Sequence, residues 1–261
     1  MKFKTRNIFN NRKTKFSVDF GVCSFMARQG EKNTYKSDAC PGCYSATLLN
    51  IYPSTAKKLE TAGYPDMDDF KADITKIAAT GHRFIRFYSL ADFASKEDIK
   101  YIKAAAKIMP VELFSKTLHA NYRDDLVKVA SIPNVWISLS LNKSWDSSYI
   151  EDLHNYIIDN RLARNVQLNY CFTENEEPRL IPYISVYHTT KRNKVPLFEL
   201  LGYNRVCCAR AEDGSKITEK NSGNYKGSCA KCPLCKLPSA DADGKLLTPK
   251  KREELYETQV Q

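Results

Sequence analysis

The sequence predicts an α/β protein: a parallel-stranded partial (βα) barrel followed by a cysteine-rich, metal-binding C-terminal extension. Three observations lead there. Short runs rich in Val, Ile, Phe and Tyr alternate with segments of helical spacing. Several of those runs end in polar residues, as strands do when they deliver groups to one rim of a barrel. Beyond residue 205 the chain turns polar, loses periodicity and gathers cysteines.

The strand-like runs are residues 16–22, 84–89, 111–116, 135–141, 166–172 and 183–188, with a further one at 203–209. Helical spacing covers 44–62 and 67–79, separated by Gly63-Tyr64-Pro65, and Phe70, Ile74, Ile77 and Ala78 share one face of the second. Residues 95–108 open with Ser95 as an expected N-cap and acids in the first turn, and bury Ile99, Ile102 and Ala106. Residues 121–130 and 147–159 follow, the latter with Ile150, Leu153 and Ile157 on one face. Strand–helix–strand repetition implies parallel strands with right-handed crossovers, in either an open doubly wound sheet or a barrel. Polar strand ends favour the barrel: Ser89 with Asp92, Ser115 to Thr117, Ser140 to Asn142, Asn169 and His188. So do Ser138 and Ser140, which alternate within an otherwise apolar strand. The expected organisation is a basic arm over 1–15, a barrel domain over 16–205 and a metal- or cluster-binding segment over 206–261.

Hydrophobic residues make up 43 % of the 261, enough for a substantial core. No apolar run is long enough to span a bilayer, and the N-terminus lacks the apolar stretch of a secretory signal. The expected location is therefore the cytoplasm, where thiols stay reduced unless they bind metal or do redox chemistry. The formal net charge is +10. Such a charge suits nucleic acid or an anionic metabolite, or simply a solvated lysine surface. Lys2, Lys4, Arg6, Arg12, Lys13 and Lys15 all precede the first acid, Asp19, so the arm reads as a phosphate contact or a frayed end.

Nine cysteines cannot all pair as disulfides. Cys171, in an apolar segment, suits burial as a small hydrophobe. The others cluster in turn-forming sequence. Cys229, Cys232 and Cys235 follow one another at two-residue gaps, with Cys207 and Cys208 upstream. That run resembles the core of a ferredoxin-type site, where successive thiolates reach different irons, with Cys208 or Cys207 as the fourth ligand. Zinc is the alternative, although zinc sites usually draw on two separate cysteine pairs. Cys23, Cys40 and Cys43 form the second group, with Cys40 and Cys43 in a turn that opens a helix, whose N-terminus stabilises thiolates. Three ligands leave either one iron of a four-iron cluster open to a small molecule, or a closed site completed by Cys171 or a histidine.

Asp92, Lys116 and His188 are the candidate catalytic residues, and Ser89, Ser140 and Asn169 the candidate cofactor-binding ones. Each has a plainer role: Asp92 as a helix cap, Lys116 as a solvated lysine, His188 as a structural histidine. No phosphate-cradling glycine loop and no serine-nucleophile elbow occurs.

CPGCY (40–44), FYSLADF (87–93) and CAKCPLC (229–235) together resemble the cysteine-rich phage family called gene product 88-like. The resemblance implies a phage or mobile-element origin, hence a host cytoplasm, and metal-binding cysteines. More distantly, the layout resembles radical S-adenosylmethionine enzymes, which pair a partial barrel with a three-cysteine four-iron cluster. That resemblance implies a catalytic cluster on Cys23, Cys40 and Cys43 with S-adenosylmethionine as cosubstrate. It also implies an auxiliary cluster on Cys208, Cys229, Cys232 and Cys235. The chain departs from that superfamily's C-x3-C-x2-C signature, because Cys23 lies far upstream of Cys40.

The expectation is thus an iron–sulfur protein, a radical or redox enzyme acting on a small or nucleotide-like substrate. The alternative is a zinc- or cluster-stapled basic module that binds nucleic acid or a host factor.

Overall fold

The computed structural model describes residues 1–11, 15–37, 43–141, 145–172, 184–189, 205–206, 238, 240–248, 250–251, 254–255 and 258. The chain divides into two compact units, Met1–Val135 and Trp136–Gln261. Residues 206–237, nearly all of the cysteine-rich part of the extension, lie outside the described residues save for Val206.

In the first unit, β1 (Ile8–Asn11) runs antiparallel to β2 (Lys15–Val18), and β2, β5 (Ile85–Phe87) and β6 (Val111–Ser115) are parallel neighbours. A separate hairpin joins β3 (Ala27–Gln29) to β4 (Thr34–Lys36). Three helices cross from β2 to β5: α1 (Tyr44–Ile51), α2 (Pro53–Ala62) and α3 (Met67–Ala78). Helix α4 (Asp98–Ala106) returns to β6, and α5 (Thr117–Ala120) and α6 (Arg123–Ala130) follow it. In the second unit, β7 (Val135–Leu141), β8 (Val166–Phe172), β9 (Ile184–Thr189) and β10 (Arg205–Val206) are all parallel. Helix α7 (Ser147–Asp159) and a 3-10 turn, Leu162–Arg164, link β7 to β8. The fold is therefore α/β with a mixed, mostly parallel sheet.

The expected helix over 44–62 is two helices, because Pro53 lacks the N–H a continuous helix needs and instead occupies the first turn of α2. Helix α3 starts where the Asp66 carboxylate accepts the N–H groups of Asp68 (2.9 Å) and Asp69 (3.0 Å). Asp146 caps α7 in the same way, accepting from Tyr149 N at 2.8 Å. Ser95 does not cap α4. Its hydroxyl accepts the Glu97 N–H at 3.1 Å, and the helix begins at Asp98, which is fully buried.

Lys4 and Thr5 of the basic arm are tied down rather than frayed. The buried Asp73 carboxylate on α3 accepts the N–H groups of Lys4 (2.7 Å) and Thr5 (2.8 Å) and the Lys76 ammonium (2.9 Å). Phe3 stacks edge-on against Phe16.

One face of the first unit's strands is apolar. Phe20, just beyond β2, meets Phe87 on β5, Phe70 on α3 and Tyr101 on α4, with ring centroids 5.1–6.3 Å apart. The other face carries Ser17, Arg86 and Glu112 in register across β2, β5 and β6. The Arg86 guanidinium lies 3.9 Å from the Phe114 ring centre.

Candidate functional site

The ends of β2, β5 and β6 converge on one loop, the FYSLADF segment that follows β5. Three buried carboxylates hold it. Asp19, one residue past β2, accepts with a single oxygen, Oδ1, the N–H groups of Ser89 (2.7 Å), Leu90 (2.7 Å) and Ala91 (2.9 Å). Its other oxygen accepts from the Ser17 hydroxyl at 3.0 Å. Asp92 accepts from its neighbour's N–H, Phe93 N (2.8 Å), and from Ser115 Oγ (2.5 Å), Thr117 Oγ1 (2.8 Å) and Lys116 N (2.9 Å), clasping the turn after β6. Asp98 accepts from Ala94 N (2.8 Å), Tyr88 Oη (2.7 Å) and Tyr64 Oη (2.5 Å). Tyr88 itself sits at φ +63°, a left-handed conformation uncommon for an aromatic residue. Its phenol bond to Asp98 and its N–H bond to Val18 O (2.9 Å) hold it there.

Burial pushes the Asp92 and Asp98 carboxyls above the usual carboxylate range, against the opposing pull of their donors. Burial, with the Asp98 charge beside it, pushes the Tyr88 phenol well up.

Of the candidates in this unit, Ser89 and Asp92 thus hold the loop in place. Ser89 is half-buried and gives its N–H to Asp19. Lys116 is half-buried at the start of α5 and gives its N–H to Asp92. Asp92 does not cap the next helix, because α4 begins at Asp98; its carboxylate instead clasps the turn after β6.

A satellite cluster lies against the same loop. Phe9, Met26, Tyr35, Ala46, Leu49, Ala56 and Leu59 form it, and Val22, Cys23, Cys43 and Leu90 pack on it. Cys23 and Cys43 are both half-buried. Cys43 occupies the N-cap of α1, and its Sγ lies 3.9 Å from Met26 Sδ. Two of the three cysteines expected at the N-terminal site thus share one cluster, and Leu90 of the rim loop touches it. Cys40, Cys207, Cys208, Cys229, Cys232 and Cys235 lie outside the described residues. Among the described residues, no three metal-ligating side chains come together. No protein-family model matches the chain, and no curated protein matches it.

In the second unit the register sets Ser138 beside Gln167, Ser140 beside Asn169, and Cys171 beside His188. Gln167 Nε2 donates to Ser138 Oγ at 3.1 Å. Ser140 is half-buried and Asn169 is 2 % exposed. The side chain of His188 lies outside the described part, so its strand position is what is seen.

Ser17, Asp19 and Asp98 escaped the sequence reading as site residues. The signal for the first two was present: Ser17 and Asp19 sit two apart in FSVDF, the same alternation that singled out Ser138 and Ser140. Asp98 carries no such signal, because an acid in a first helical turn normally faces water. Four lysines, Lys71, Lys100, Lys103 and Lys107, line a groove on α3 and α4 of about 340 Å³ floored by Met67, Ala104 and Ile108. No described helix is long and apolar enough to cross a membrane.

Proposed function

We propose that the chain is an iron–sulfur protein that performs radical or redox chemistry at the C-terminal ends of its parallel strands. The strands would belong to a partial βα-barrel, and the substrate would be small or nucleotide-like. One observation carries the reading: Cys23, beyond β2, and Cys43, at the start of α1, pack on one cluster with Leu90 of the loop after β5.

The two thiols suit metal ligation. Each is half-buried, and Cys43 stands at a helix N-terminus, where exposed N–H groups favour a thiolate. Cys40 is three residues before Cys43 and is the expected third ligand. Cys208, Cys229, Cys232 and Cys235 are the expected ligands of a second centre. A bound cluster would supply electron transfer and, with an open iron, a point that binds a cosubstrate such as S-adenosylmethionine.

The protein's own contribution is positional. Asp19 fixes the backbone of Ser89, Leu90 and Ala91 through three hydrogen bonds to one oxygen. Asp92 fixes the start of the Lys116 turn. Leu90, held by that clamp, packs on the same cluster as the two thiols. Ser140, Asn169 and His188 of the second unit are the expected substrate-orienting residues.

Anaerobic purification tests the proposal. Broad visible absorbance with several irons per chain, reduced in Cys40→Ala, is the expected result. A colourless protein that carries one zinc per site would sink it. That outcome would favour the binding-module reading, to which the four-lysine groove lends support. In that case a salt-dependent affinity for single-stranded nucleic acid, lowered by Lys103→Glu and Lys107→Glu together, is expected.

A further inference from the structure

We infer that Asn169 is the recognition residue of a binding site for a nucleobase-type edge, a flat group with a hydrogen-bond donor next to an acceptor. Asn169 lies in the middle of β8, 2 % exposed, and neither its Oδ1 nor its Nδ2 has a hydrogen-bond partner among the described residues. Buried carboxamides are normally satisfied at both ends, because each lone polar atom forfeits the bonds it made to water. The other buried asparagine among the described residues makes the contrast. Asn7 uses its Nδ2 twice, donating to Asp19 O (3.2 Å) and Gly63 O (2.9 Å), and leaves only its carbonyl oxygen open.

The neighbouring strands show what stands beside Asn169 in the sheet. One layer earlier on β8, Gln167 closes on Ser138 of β7 at 3.1 Å, so that polar pair is complete within the sheet. The next layer sets Asn169 between Ser140 of β7 and Val186 of β9. Val186 offers no polar side-chain atom to it. The pairing of β8 with β9 also shifts register between Leu168 and Asn169, the kind of irregularity that re-aims a side chain beside a functional site.

An amide offering one acceptor and one donor in a plane complements a partner with the reverse pattern. Nucleobase edges present that pattern, and asparagine pairs with adenine in this bidentate way. A primary carboxamide presents it too. As an assignment of substrate class the inference rests on the proposed function. As a binding site it needs no cluster.

The test is calorimetric titration of the purified protein with adenosine, cytidine, nicotinamide and N6,N6-dimethyladenosine, with visible absorbance recorded alongside. Saturable binding of at least one nucleoside is expected. If adenosine is that nucleoside, its dimethyl analogue, which lacks the donor, should bind roughly tenfold or more weakly. Asn169→Leu should lose the same affinity while melting at or above the parent temperature, because it removes an unsatisfied buried group. Binding of nicotinamide alone would overturn the nucleobase assignment. So would binding of no probe, undiminished binding by the Leu variant, or a Leu variant that melts well below the parent. Binding by a colourless protein would leave this site standing and remove the cluster reading alone.

Discussion

The single oxygen of Asp19 that receives three backbone N–H groups is the residue on which the rim loop most depends. Its carboxylate is fully buried, and removing it leaves those N–H groups and the Ser17 hydroxyl without their acceptor. Asp19→Ala is expected to cost about 3 kcal/mol or more, read from urea denaturation. Asp19→Asn keeps one acceptor oxygen but not the charge, and bonds to a charged acceptor are roughly twice as strong as neutral ones. It should therefore lose about half as much. Equal losses in the two variants would mean that the carboxylate charge, which both remove, accounts for the whole effect. Tyr88→Phe is a finer probe: it removes one donor from Asp98 while leaving Tyr64 and Ala94 in place. About 1 kcal/mol is expected, with no change in secondary structure by circular dichroism. In sequence these acids look alike. Asp92 stood out because it ends a strand-like run, whereas the inward turn of Asp98 depends on two tyrosines distant in sequence or strained in backbone.

The elements themselves were unequally legible, and the inequality has a physical basis. Strands β7 and β8 and helix α7 match the expected 135–141, 166–172 and 147–159, because each holds one strong period over its whole length. Strand β1 and the β3–β4 hairpin were missed. Ile8–Asn11 is half polar, and the hairpin strands Ala27–Gln29 and Thr34–Lys36 are too short to establish alternation. What holds that hairpin is tertiary. Asn50 on α1 brackets Tyr35, accepting its N–H at 2.7 Å and donating to its carbonyl at 2.9 Å, and Arg28 bonds Glu60 on α2. No local window carries such a signal. Helix α3, by contrast, was read correctly from its stripe, and Phe70, Ile74 and Ile77 are all fully buried. Phe70 meets both Phe20 and Tyr101, so Phe70→Ala opens the aromatic cluster as well as the helix contact. Its expected cost is about 3–5 kcal/mol by chemical denaturation. A loss below about 1 kcal/mol would show that the site collapses to fill the gap.

At the scale of the molecule, the buried carboxylates of the first unit pull stability in opposite directions as pH changes. Burial alone would raise Asp73, but its bonds from Thr5, Lys76 and Lys4 outweigh that and hold it below the usual range. Its contribution is present above the unfolded value of about 3.9 and is lost as pH falls through the lower folded value. Asp98 is the reverse case. Burial raises it, and the hydrogen bonds from Ala94, Tyr64 and Tyr88 only partly offset the rise. The folded state therefore holds its proton to higher pH than the unfolded chain does. Its stabilising effect is complete below about 3.9 and is lost as pH climbs through the raised folded value. Asp92 behaves likewise, with its own four donors in opposition. Asp73 should therefore contribute to acid unfolding, whereas Asp92 and Asp98 should not. Asp73→Asn is expected to flatten the loss of stability on the acid side. Asp98→Asn, compared with the parent by urea titration at a series of pH values, should remove part of the decline between about pH 4 and the raised folded value. Because Asp73 and Asp98 share no hydrogen-bond partner among those described, the two effects should add in the double variant to within about 0.5 kcal/mol. An Asp98→Asn variant whose stability runs parallel to the parent across that window would mean that the buried carboxyl stays charged throughout, with its three donors outweighing its burial.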